Sequence, residues 1–148
     1  MLGNLSDFNP GVDDVPYEEM LEIDRFALHR LQGLIKKARA AYDSYEFHAV
    51  YHNLYNFCTM DLGAFYLDVL KDRLYTSPAK STARRSAQTA LNAIIDALVR
   101  LMAPILVFTA EELWVHMPGA DARPSSGHLT PLPEVAENWL DDKLGEIW

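Results

Sequence analysis

The chain has 148 residues, 49 % of them apolar and 23 % charged, which suits one domain with one core and excludes a disordered class. No apolar run nears the roughly 18 residues needed to span a bilayer, and the opening MLGNLSDFNPG lacks the basic and apolar regions of a signal peptide. The net charge of −8 argues against nucleic-acid binding, but from Arg25 to Arg100 eleven Lys/Arg stand against six Asp/Glu, a net of +5, while the flanks carry −13.

Residues 1–16 are broken by Gly3, Pro10, Gly11 and Pro16 and read as the last turn of a helix, Leu2-Gly3-Asn4-Leu5, followed by an irregular connection. The recurrence of Leu21, Phe26, Leu28, Leu31, Leu34, Ile35, Ala38 and Tyr42 predicts a first helix from about Tyr17 to Tyr42. Pro16 opens it, and Glu18, Glu19 and Glu22 sit at the positive end of its dipole. A second helix is predicted from about Ser44 to Tyr75, with Asp43 and Glu46 as a capping box. Its broad stripe runs through Phe47, Val50, Tyr51, Leu54, Phe57, Cys58, Leu62, Phe65, Val69 and Leu70.

Thr76-Ser77-Pro78 ends that helix. A third begins at its cap Ser81 and runs to about Met102, where Pro104 enforces a break. A fourth starts at Thr109, which forms a capping box with Glu112, and ends by Met117. Residues 119–135 have no period and read as a loop or wrapping strand. Residues 136–148 suit a short amphipathic helix with Trp139, Leu140, Leu144 and Trp148 near one face. The whole is an all-α antiparallel bundle over 17–118, preceded by a helix remnant and connection in 1–16. A C-terminal loop and short helix in 119–148 packs on the bundle or leaves it.

Catalytic patterns are absent. His48 and His52 have metal-ligand spacing at i, i+4, but no third ligand accompanies them and they read as ordinary polar side chains. The lone Cys58 excludes an internal disulfide and a Cys-rich zinc cage, and fits a reducing cytosol. No nucleophile elbow or Gly-rich phosphate loop occurs. Asp61 and Asp68, seven apart, suit neutralisation of Lys71, Arg84, Arg85 or Arg100 better than acid–base work.

Cations cluster at Lys36, Lys37 and Arg39, and again at Lys71, Arg73, Lys80, Arg84 and Arg85. Up-down topology brings the second set to one end of the bundle beside Tyr75, as phosphate and base contacts for single-stranded RNA require. The alternative is compensation of helix dipoles and salt bridging, which suits Arg84 and Arg85 poorly at a helix start. Trp114 reads as core rather than as a stacking platform.

Longer strings carry a resemblance. Phe47-His48-x-Val50-Tyr51-x-x-Leu54-x-Asn56-Phe57-Cys58, then Asp61-Leu62, then Phe65-Tyr66-Leu67-Asp68-Val69-x-Lys71-Asp72-Arg73-Leu74-Tyr75 resembles a helix of the anticodon-binding domain of bacterial-type isoleucyl-tRNA synthetases, which are class I aminoacyl-tRNA synthetases. Arg84–Leu91 and the segment from Ala103-Pro104 through Phe108-Thr109-Ala110-Glu111-Glu112-Leu113-Trp114 resemble the parts that follow, the latter shared more loosely with valyl and leucyl relatives. Leu2–Phe8 and Asp24–Leu28 also match; the likeness covers Leu2 to about Pro118, with a weaker match at His128-Leu129 and Pro133-Glu134.

The resemblance implies an antiparallel bundle of the class Ia anticodon-binding type that grips the anticodon stem-loop of an isoleucine tRNA. A catalytic domain elsewhere in the parent enzyme uses ATP to join isoleucine to that tRNA. The HIGH and KMSKS signatures, the editing domain, the zinc-binding segment and the Arg- and Asn-rich start of the first bundle helix are not in this sequence. No catalytic residue, metal or cofactor is therefore expected in this chain; ATP and zinc are implied for the parent, in the cytoplasm. Charge and placement nominate Arg73, Lys80, Arg84 and Arg85 as tRNA backbone contacts, followed by Lys36 and Lys37. The rival readings are a partner-docking bundle without RNA affinity and the equivalent domain of a valyl or leucyl enzyme.

Overall fold

In the computed structural model, which describes residues 2–119 and 122–147, regular structure is helical throughout. Expectations that fall on Met1, Ala120, Asp121 and Trp148 lie outside the described residues. The principal helices are α1 (Glu22–Asp43), α2 (Phe47–Asn56), α3 (Leu67–Thr76), α4 (Thr82–Met102), α5 (Val107–His116) and α6 (Asp142–Ile147). A π-helical stretch, Phe57–Tyr66, joins α2 to α3 in one continuous rod. The rod runs antiparallel to α1, and α4 packs across both; α5 lies on α4, and α6 on α1.

The π winding changes which side of the rod is buried. Val50, Leu54, Phe57, Leu62, Tyr66, Leu70 and Leu74 face the core, and the step from Phe57 to Leu62 is five residues rather than three or four. Such a step needs i→i−5 bonding, seen where the Leu67 amide donates to the Leu62 carbonyl. The regular stripe expected for this helix is therefore corrected: Phe47, Tyr51, Cys58 and Val69 are exposed.

Helix starts also differ from expectation. Tyr17–Glu19 is a separate 3₁₀ turn, and α1 starts at Glu22 because the Leu21 amide donates to Ser86 Oγ instead of entering a helix. Asp43 and Glu46 do not form a capping box. The Tyr45 amide bonds to the Tyr42 carbonyl and the Glu46 amide to the Ala41 carbonyl, which closes α1 in a Schellman motif. Tyr45 takes the left-handed position at φ 58°. Thr109 caps nothing. The Ala110 amide already bonds to the Leu106 carbonyl, so α5 begins two residues before Thr109. Ser81 does cap α4, its hydroxyl accepting from the Arg84 amide. The chain leaves helical geometry after Met102, around Pro104.

Both flanks join the bundle. Leu5 and Phe8 are buried in the core. On the other side, Arg39 donates to the Leu132 and Pro133 carbonyls, Gln32 accepts from the Ala136 amide, and His29 Nδ1 accepts from the Asp141 amide. These bonds lay the C-terminal segment along α1, with Leu144 buried. The described part of 119–135 is a loop that includes the 3₁₀ turn Gly127–Leu129, held by Glu111 accepting from Ser126 Oγ and the Gly127 amide.

Candidate nucleic-acid interface

The end of α3 and the start of α4 meet through the turn Ser77–Ser81, so Arg73, Lys80, Arg84 and Arg85 do converge at one end of the bundle. An accessible cationic corner does not result. Arg73 makes a bidentate pair with Asp24, at 2.7 and 2.8 Å, in which the carboxylate is fully buried and the Arg73 side chain is 14 % exposed. Tyr66 Oη and Ser86 Oγ donate to the same carboxylate, so four bonds satisfy it. Burial, with Asp24 beside it, pushes the Tyr66 phenol well above its ordinary range and keeps it a donor.

Arg84 grips Asp7 with both terminal nitrogens and donates to the Leu74 carbonyl, at the open end of α3, and to the Ala79 carbonyl in the turn that follows. Arg85 donates to the Asp7 carbonyl and to Gln88 Oε1, and pairs with Asp13 at 3.5 Å. Gln88, buried, donates to Asp7 and to the Asn4 carbonyl. These side chains clamp residues 4–13 onto α4. The three arginines are thus internal counterions, a use for which the planar guanidinium is suited and lysine is not. The expected neutralisation by Asp61 and Asp68 is also corrected: Asp61 pairs with Arg30 at 2.7 Å, across to α1.

Lysines occupy the solvent positions. Lys36, Lys37, Lys71 and Lys80 are exposed, and none forms an ion pair among the described residues. At the α3–α4 end, Lys71 and the exposed Tyr75 line a shallow depression with Asn4 and Asp68. Lys80 stands in the adjoining turn, and Asp72 is exposed nearby, so charge there is nearly balanced. Lys36 and Lys37 lie elsewhere, in a groove of about 510 Å³ between α1 and the rod, with His29, Arg30, Asn53 and Asn56. The opposite end of the bundle is apolar at its surface, with Tyr45, Phe47, Val107 and Phe108 exposed. Trp114 is core: it is buried, its indole donates to the Pro124 carbonyl, and the Arg123 guanidinium lies 5.0 Å from its ring centre.

His48 and His52 face solvent, and no three His, Cys, Asp or Glu gather in metal-binding geometry among the described residues. No described helix is long and apolar enough to cross a membrane.

The helical architecture agrees with comparisons to known proteins. Residues 24–147 match the family described as the anticodon-binding domain of tRNA ligases. The chain belongs to that family. Among the relatives of this anticodon-binding domain, the isoleucine–tRNA ligase of Moorella thermoacetica is 58 % identical over 148 residues. Those of Desulforudis audaxviator and Geobacter sulfurreducens are 51 % and 50 % identical over the same length. Each alignment takes in 100 % of this domain and 16 % of the relative. Sequence reasoning missed the ion-pair partners of the arginines. Asp7 and Asp24 are 77 and 49 residues from the arginines they bind, and no local pattern links them.

Proposed function

We propose that this chain grips the anticodon stem-loop of an isoleucine tRNA as part of an isoleucine–tRNA ligase, whose remaining domains use ATP to attach isoleucine to that tRNA. The observation that carries the reading is identity of 58 % across the whole chain to a protein of that name. The unpaired lysines support it, because phosphate contact needs solvated cations that are not already spent on carboxylates. Lys80, Lys36 and Lys37 are the direct contacts in this proposal, while Arg73, Arg84 and Arg85 hold the surface in place. In this proposal the zinc implied by the resemblance belongs to the rest of such an enzyme.

Fluorescence anisotropy with a labelled anticodon stem-loop tests the reading. Binding is expected to weaken linearly in log K against log salt, by about 0.7 to 0.9 per phosphate neutralised, and to favour the isoleucine over the valine anticodon. Absence of binding at low salt, or an affinity indifferent to salt, would point to a bundle that docks on protein instead.

A further inference from the structure

The groove between α1 and the rod is more cationic than the end of the bundle where the arginines gather, and it is a built cavity rather than a scatter of surface charge. Lys36 and Lys37 enter it from α1, and Asn53 and Asn56 face them from α2. The one carboxylate in its lining, Asp61, is already neutralised by Arg30 at 2.7 Å. The two ammonium groups therefore remain uncompensated, beside carboxamides that donate without adding charge. Gly33 lies in the α1 wall, where even an added Cβ would meet nothing within 4 Å, so a ligand can approach the α1 backbone closely. Leu140, held in place by the bonds of the C-terminal segment to α1, closes one side.

We propose that this groove is a second RNA site, which takes the phosphodiester backbone of the paired stem while the Lys71–Tyr75–Lys80 end meets the unpaired loop. The proposal rests on the RNA-binding reading above. Asp24, bonded to Arg73 at that end, is twelve residues from Lys36 along α1, about 18 Å at 1.5 Å per residue. In this proposal a hairpin that spans both has its loop at the end of the bundle and its stem at the groove. Double-stranded RNA is held by shape and phosphate contact rather than by its bases, and two lysines with two amides supply such contacts. At the end where the loop would lie, Tyr75 is exposed and offers a ring to an unpaired base.

The test compares two labelled RNAs by anisotropy: the isoleucine anticodon hairpin and a seven-nucleotide single strand of its loop sequence. Lys36→Glu with Lys37→Glu is expected to weaken hairpin binding about tenfold or more and to lower the salt slope by about 1.5 to 2, leaving the single strand within about twofold. Lys80→Glu should weaken both RNAs. Asn53→Ala with Asn56→Ala, which leaves charge unaltered, should weaken the hairpin several-fold at constant salt slope. Circular dichroism melts verify folding, because neither lysine holds a partner in the bundle. Unchanged hairpin affinity in K36E/K37E, with K80E still weakened, overturns the groove alone and leaves it to an acidic protein surface. Equal loss for both RNAs overturns the stem assignment. A native chain that binds no hairpin at low salt overturns the RNA reading itself, and the groove with it.

Discussion

Asp7 shows how one side chain makes stability depend on pH. Its hydrogen bond from Arg84 holds the carboxyl at about 2, below the ordinary 3.8. The folded state thus favours the carboxylate. Its stabilisation is complete above about pH 4 and is lost as pH falls through 2. Because 40 % of the Asp7 side chain is in water, screening limits the effect to about 1 kcal/mol. Asp7→Asn is expected to flatten this part of the profile. Urea midpoints measured from pH 4 to pH 2 should fall less steeply in D7N than in the native chain, and parallel profiles would remove Asp7 from the acid response.

At the scale of the element, the rod is defined by its π-helical middle. Gly63 lies within it, and a Cβ there would stand 3.0 Å from the Cys58 carbonyl oxygen, five residues earlier. In a regular α-helix a Gly→Ala change stabilises by about 1 kcal/mol through propensity. Here the obstacle is backbone, which cannot swing aside as a side-chain tip can. Gly63→Ala is therefore expected to destabilise by about 1 kcal/mol, or to force the rod back to α winding and misplace Leu62 and Tyr66. A thermal melt decides the sign: a higher Tm in G63A would mean that the middle of the rod tolerates regular packing.

For the whole molecule, the buried Asp24 carboxylate ties α1 to the rod through Tyr66 and Arg73 and to α4 through Ser86. These three elements bear both surfaces proposed for RNA. Asp24→Asn leaves Arg73 largely buried without its counterion, a change that costs about 3–5 kcal/mol when a buried pair is broken from one side. Chemical denaturation should show that loss. A loss under about 1 kcal/mol would mean that water reaches the pair in solution. The ends of the bundle also differ in character. Charged groups, tyrosine and the arginine clamps gather where α3 meets α4, and apolar side chains where α1 meets α2 and α4 meets α5.

Helix number, helix order and family were legible in the sequence because they rest on local signals: apolar period, the Ser81 cap, the Pro104 break, and strings such as Phe65–Tyr75. The cations that are free for a ligand were not. Arg73, Arg84 and Arg85 look like neighbouring surface charges until folding brings Asp24 and Asp7 to them. Lys36 and Lys37 gain Asn53 and Asn56 as neighbours only when α1 lies beside the rod. Composition and periodicity decide what can be helical and what must be buried. Which charge cancels which is a matter of distance, and only the tertiary structure sets distances between residues far apart in the chain.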